Sequence, residues 1–389
     1  MRIIIIGAGI GGLTTAIALR QRGFTPEIFE SASELLAVGK GIWLPTNAMI
    51  VLSRLGLAEE VIQRGVSLEQ LHVREPMGSP LQTIDLRDVR RRFGFTTVSL
   101  LRSTLQEVLT NALPPGCLRL GKQCVGVVPD AEGAVARFAD GSEEKADLVI
   151  GADGLRSVAR EVVAPGTKLR FAGQVCFLGN ADYSLPVQER ATVNEVWGGR
   201  YRFGYSAVTE NRVYWFAPSI ATHPEVPGSA TADELANLQV TYQNFPNPIS
   251  GLISATPLHE LTRVNLHDIA PLTDWFRGRV VLVGDAAHAM TPNLGQGGAQ
   301  SIEDAYVLAQ QLALQAASPN GTSSIANALA NYQRIRRPKA ARTVRTAWWL
   351  GKLAHLEGRA PRSIRNLVLR ATPESVNRKQ VDHLYSVGY

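Results

Sequence analysis

Cysteine is scarce in this 389-residue chain: there are three, Cys117, Cys124 and Cys176, an odd count with no C-x-x-C spacing. That usage gives neither a disulfide framework nor a zinc-ligand set, and suits apolar fillers in a reducing compartment. No apolar run approaches the roughly 18 residues that a membrane-crossing helix needs. The sequence opens on an apolar strand rather than on a basic region and cleavage site, so a cytoplasmic protein without a signal peptide is expected. Also missing is a basic cluster interleaved with stacking aromatics. The net charge of +6 and pI near 9.3 are spread along the chain and rise mainly after Arg334, which argues against nucleic acid and for weak steering of acidic or phosphate-bearing small molecules. What is plentiful is apolar residues, 45% of the chain. At this length they support two packed domains.

The chain is organised around residues 279–304. An apolar run over 280–283 stops at Gly284-Asp285, passes Pro292, and reaches Gly295-Gln296-Gly297-Gly298-Ala299. The order predicted is strand, carboxylate, glycine loop, helix. Glycines let backbone approach a flat ligand, and a helix beginning near Gly298 aims its free N–H groups and positive dipole end at whatever lies over the loop. Asp285 would face sugar or polyol hydroxyls. The competing reading is an ordinary strand-turn-helix whose glycines only make the turn.

Residues 1–30 carry a second signal. A strand over 2–6 leads into Gly7-Ala8-Gly9-Ile10-Gly11-Gly12, then an apolar helix, then a strand ending at Phe29-Glu30. Gly7, Gly9 and Gly12 occupy the G-x-G-x-x-G positions: tight turn, room for a pyrophosphate, close packing of helix on strand. Glu30, 18 residues after Gly12, is placed for ribose hydroxyls. Ser31 and Trp43 belong to a glycine-containing loop with Gly39-Lys40-Gly41 that is suited to lie against a cofactor, and a solvated Lys40 competes evenly with a role there. Arg102 opens a helix, unfavourable with the dipole unless an anion is near. Gly151-Ala152-Asp153-Gly154 follows another short strand and sets Asp153 at the same edge.

From about residue 171 to 267 the pattern becomes alternating strands, as in Thr192–Trp197. A three-residue hairpin loop over 208–210 would put Arg202, Gly204 and Ser206 on one face with Arg212, Tyr214 and Phe216, with Arg202 and Tyr214 diagonal neighbours. Such a pair can bind a polar aromatic ring, and a plain solvent-exposed face is as good a reading from spacing. A further strand is expected over 256–265. Arg90-Arg91-Arg92 reads as an exposed loop, Arg334-Ile335-Arg336-Arg337 as a solvated helix face, and helices over 325–357 complete the body. A membrane-surface role for that tail is the lesser alternative.

These three glycine blocks, in this order, resemble the single-component FAD-dependent aromatic monooxygenases typified by p-hydroxybenzoate hydroxylase, and most of all the branch with urate hydroxylase, salicylate hydroxylase and quinolone-type monooxygenases. The resemblance spans nearly the whole chain. It implies an α/β fold: a Rossmann-like FAD-binding domain (1–170, with a small β-insertion about 70–100, completed by 268–389 with C-terminal helices) and an inserted antiparallel β-sheet substrate domain (171–267). It implies that Gly11, Glu30 and Cys124 serve the ADP part of FAD, Arg102 and Asp285 the ribityl and phosphate region, Gly295 to Ala299 the isoalloxazine, and Asp153 both FAD and transient NAD(P)H. Pro292 would wall the ring, while Arg202 and Tyr214 would act on a small aromatic substrate. The implied reaction is hydroxylation by O2 through a flavin C4a-hydroperoxide. Lys40 departs from the small residue often found there, and no second G-x-G-x-x-G exists for NAD(P)H. The halogenase signature Trp-x-Trp-x-Ile-Pro is absent. A reductase, or a flavin protein that does not oxygenate, is the alternative class. Monomer and dimer both stay open, and no metal is expected.

Overall fold

The computed structural model describes residues 1–35, 40–130, 132–317 and 325–389. Gly39 and residues 318–323 lie outside the described residues. At the centre is a six-stranded sheet in the order Phe276–Arg277, Val280–Leu282, Leu148–Gly151, Ile3–Ile6, Glu27–Phe29, Leu118–Arg119, parallel except for its first pair. Ile3–Ile6 is buried on both faces, which is why it reads as a continuous aliphatic run rather than an alternating one. The helix Ile10–Arg20 packs on this sheet and on the helix Gly297–Ala316.

A second sheet of eight strands takes in Leu169–Asp182, Thr192–Trp197, Arg202–Ala207, Arg212–Ile220 and Thr262–Ile269. Gln70–Arg74 and Pro80–Asp85, expected as a small insertion in the first domain, extend this sheet instead: Gln70–Arg74 pairs in parallel with Thr192–Trp197. One face packs Phe203 against Trp215 and Tyr242 and is covered by the helices Ala232–Tyr242 and Ile249–Ser254. The other face meets the glycine loop.

Several sequence expectations need correction. The hairpin turn sits one position further along than expected, with the Val208 N–H donating to the Arg212 carbonyl, so Ser206 pairs with Tyr214 and Gly204 with Phe216. The predicted face is kept, but Tyr214 lies about four residues along the strands from Arg202, on the order of 13 Å, and the two are not diagonal neighbours. The strand expected over 256–265 is Thr262–Ile269, because a short helix and turn occupy the residues before it. Arg90, Arg91 and Arg92 end the helix Leu86–Phe93, where cations complement the dipole and Gly94 closes it with φ 85°. Two helices, Arg359–Ala371 and Glu374–Tyr385, continue beyond residue 357.

The least expected placement is that of Arg336. It is fully buried in the 30-residue helix Ile325–Ala354, where Nε donates to Asp304 at 2.8 Å and Nη1 to Glu303 at 2.5 Å. A helix turns 3.6 residues per revolution, so four consecutive residues cannot share a solvated face. Arg336 falls on the stripe of Leu329, Tyr332, Ala340 and Val344, all buried.

Candidate active site

Two helix N-termini from opposite ends of the chain lie side by side, both after glycines and both without a side-chain cap. A Cβ on Gly11 would sit 3.3 Å from that of Ser301, and one on Gly298 would sit 3.7 Å from Ile10. Gly7, at φ 100°, turns beneath the Gly151 to Gly154 segment, and a side chain on Gly12 would overlap the Gly7 carbonyl oxygen. Nothing lies within 4 Å of where a Cβ on Gly9 would project. The result is an open groove floored by backbone N–H groups, the local chemistry that a pyrophosphate requires.

Acceptors and a cation line this groove. Glu30 accepts from the Ala8 N–H at 2.7 Å, from the Ala32 N–H at 2.9 Å and from the Ser31 hydroxyl at 2.9 Å. Arg102, at the start of the helix Arg102–Asn111, is exposed, and its guanidinium has no partner among the described residues. Asp285 is the one exposed residue within the buried stretch 280–289. Its carboxylate is likewise unpaired among the described residues and lies 3.9 Å from where a Cβ on Gly297 would be. These groups fit FAD: unpaired N–H groups and Arg102 for phosphates, carboxylates for ribose and ribityl hydroxyls. Cys124 begins the strand Cys124–Pro129 and donates to the Gly126 carbonyl. Burial, with the nearby Asp153 charge adding to it, holds its thiol above the ordinary value. Asp153 differs from expectation in one respect: its carboxylate accepts from the Ser157 hydroxyl at 2.6 Å and the Val158 and Ala159 N–H groups at 2.7 and 3.1 Å. It is spent as a helix cap, leaving the backbone at this position for the groove.

Past the groove, the large sheet closes against the glycine loop. Trp43 packs against Gly295, with 3.5 Å between the ring and the position of a Cβ there. Its indole N–H donates to the Ser206 hydroxyl at 2.8 Å, and its ring meets Phe216 edge-on. Tyr214 lies over Gly41, where any side chain would overlap its ring. Burial drives the Tyr214 phenol well above its ordinary range, so it stays protonated and is a hydrogen-bond donor. Pro292 is exposed at the mouth, in the turn Pro292–Leu294.

Arg202 sits deeper than spacing suggested, 2% exposed. It donates to Glu195 and to Asn293, each at 2.8 Å. Asn293 in turn donates to the Thr291 hydroxyl and the Ala347 carbonyl, so the turn beside the loop is tied to the helix Ile325–Ala354. Sequence reading missed Glu195 and Asn293. Glu195 had a signal, a lone carboxylate in a strand that is otherwise neutral. Also missed was Asn47, which donates to Gln296 at 3.0 Å and to Glu303 at 2.6 Å. It links the loop to the buried Arg336 cluster. Lys40 is neither solvated nor free: it pairs with Glu260, which also binds Arg212 and Asn180. Burial holds the Lys40 ammonium below its ordinary value against the pull of Glu260.

Residues 1–347 match the family described as an FAD binding domain. The aurachin C monooxygenase/isomerase of Stigmatella aurantiaca is 36% identical over 370 residues, covering 95% of this chain and 94% of that protein. The 2-heptyl-3-hydroxy-4(1H)-quinolone synthase of Pseudomonas aeruginosa is 32% identical over 391 residues, covering 99% and 98%. Among solved structures, Klebsiella pneumoniae HpxO complexed with FAD and uric acid superposes with a TM-score of 0.87 at 27% identity, over 99% of this chain and 96% of that one.

Proposed function

The chain belongs to the FAD-binding domain family, and from that premise we propose that it is an FAD-dependent, NAD(P)H-using monooxygenase that hydroxylates a small aromatic or heteroaromatic molecule with O2 in the cytoplasm. One juxtaposition carries the reading: Trp43, from the neighbouring strand Gly41–Leu44, lies between the aromatic face of the large sheet at Ser206 and Phe216 and the glycine loop at Gly295. A ring held there is walled by Phe216 and Tyr214 on one side and faces the loop on the other.

Bound FAD supplies the redox chemistry, accepting electrons from the nicotinamide and activating O2. The protein supplies position, charge and dryness. Gly7, Gly9, Gly11 and Gly12 admit the pyrophosphate; Glu30 and Ser31 take the ribose; backbone at Cys124 takes the adenine. Arg102 and Asp285 hold the phosphate and ribityl region, and the Asp153 backbone lines its edge. Gly295, Gln296, Gly297, Gly298 and Ala299 cradle the isoalloxazine with Trp43 beside it and Pro292 at its face. The dipole of Gly297–Ala316 stabilises negative charge on the ring. Residues 1–170 with 268–389 form the cofactor domain, and 171–267 with the strands over 70–85 form the substrate sheet.

The substrate is best read as a neutral ring. Arg202 already has Glu195 as counter-ion, so it orients the pocket through Asn293 and does not call for a carboxylate. Tyr214 offers a neutral donor to a ring oxygen. A quinolone-type heteroaromatic fits these demands better than a benzoate, in keeping with the two relatives at 36% and 32% identity.

The test is NADH and NADPH oxidation and O2 uptake by the FAD-loaded protein with quinolones, hydroxybenzoates and purines. Expected are stimulation by a neutral heteroaromatic, O2 consumption matching nicotinamide oxidation, and a hydroxylated product by mass spectrometry. No stimulated oxidation across the panel would count against the reading.

A further inference from the structure

The helix Arg359–Ala371 carries its polar side inward and its apolar side outward. Ala360, Ile364, Leu367, Val368 and Ala371 fall within an arc of about 100°, and all are exposed, Ile364 at 64%, Leu367 at 67% and Val368 at 59%. On the opposite side Arg365 and Asn366 are buried. Arg365 donates to the Ala354 and Leu353 carbonyls at the end of Ile325–Ala354, and Asn366 donates to Glu75. A helix stabilised only by packing on its own protein would be arranged the other way. At the end of Ile325–Ala354 that Arg365 caps, Trp349 is 67% exposed and Leu353, one turn on, is 38% exposed.

The charge around this face is predominantly positive. Residues 342–379 hold nine Arg or Lys and two Asp or Glu, a surplus of seven against six for the whole chain. Arg359 and Arg362 stand in the first turn of the helix, where cations oppose the dipole and an anion relieves them. The Nε of Arg362 is buried without a partner.

We propose that this face docks peripherally on a bilayer rich in anionic phospholipid, with Ile364, Leu367, Val368 and Trp349 at the acyl boundary and Arg345, Lys352 and Arg359 among the headgroup phosphates. An aliphatic stripe with a Trp and a basic rim is the composition of an interfacial helix. A second copy would bring two cationic faces together, and nucleic acid has no use for the stripe. No described helix is long and apolar enough to cross a membrane, so the chain lies on the surface.

The experiment is sedimentation of the full FAD-loaded chain with phosphatidylcholine vesicles, with and without phosphatidylglycerol. Wild type is expected to pellet only with the anionic vesicles and to be released by salt. Leu367→Glu with Val368→Glu, and separately Arg345→Glu with Arg359→Glu, are expected to weaken binding at least about tenfold while keeping flavin. Wild type remaining in solution with both vesicles, or pelleting that the variants do not change, overturns the proposal. So does a wild-type dimer in gel filtration that Leu367→Glu with Val368→Glu dissociates in the absence of vesicle binding.

Discussion

Asp285 shows what one unpaired carboxylate is for. Its neighbours over 280–289 are all buried, yet its carboxylate faces the groove with no hydrogen-bond or ion-pair partner among the described residues, so folding depends little on it. Asp285→Ala is therefore expected to melt like the wild-type apoprotein while purifying depleted in flavin, read as visible absorbance per polypeptide; a variant as yellow as wild type ends the assignment. Arg202 and Glu195 form the contrasting case, two charges held at 2.8 Å inside the sheet. Arg202→Ala strands the Glu195 carboxylate in a buried site and should cost about 3 kcal/mol in urea denaturation. Adding Glu195→Gln should return part of that loss, because the stranded charge is then gone.

Between elements, the strongest join is ionic. Gly297–Ala316 and Ile325–Ala354 are clamped by Arg336 between Glu303 and Asp304, all three fully buried, with Lys339 adding to Glu303 at 2.9 Å. Asp304 also accepts from the Gly284 N–H and contacts His288, and Glu303 accepts from Asn47. The clamp thus holds both ends of the ribityl and ring cradle. Arg336→Met is expected to lose about 3 to 5 kcal/mol in guanidinium denaturation and to raise the fluorescence of loosely held flavin. A full-strength, fully quenched variant would show that the clamp positions nothing.

Across the whole molecule, the junction between the sheet and the C-terminal helices makes stability depend on pH. His355 lies between the Gly351 carbonyl at 2.9 Å and the Pro218 carbonyl at 3.2 Å, and burial lowers its pKa from 6.5 to about 4. The unfolded chain then binds the extra proton first, so stability is unaffected above pH 6.5 and falls as the pH drops from 6.5 towards 4, by up to about 3 kcal/mol. Denaturation at stepped pH should show that slope, and His355→Gln should flatten it. Features set by nearby residues were legible in the sequence: the glycine turns, the strand-turn-helix order and the alternating faces, because backbone sterics and side-chain period act over a few positions. Hairpin register was not, since moving a turn by one position shifts every cross-strand pair by two residues without changing which face a residue occupies. Nor were the fates of the charged side chains: Arg336 is buried by carboxylates more than 30 residues away, Lys40 is paired with Glu260 across 220, and Arg359–Ala371 turns its apolar side to water. A charge is solvated or buried according to which distant groups arrive beside it, and only the tertiary fold decides that.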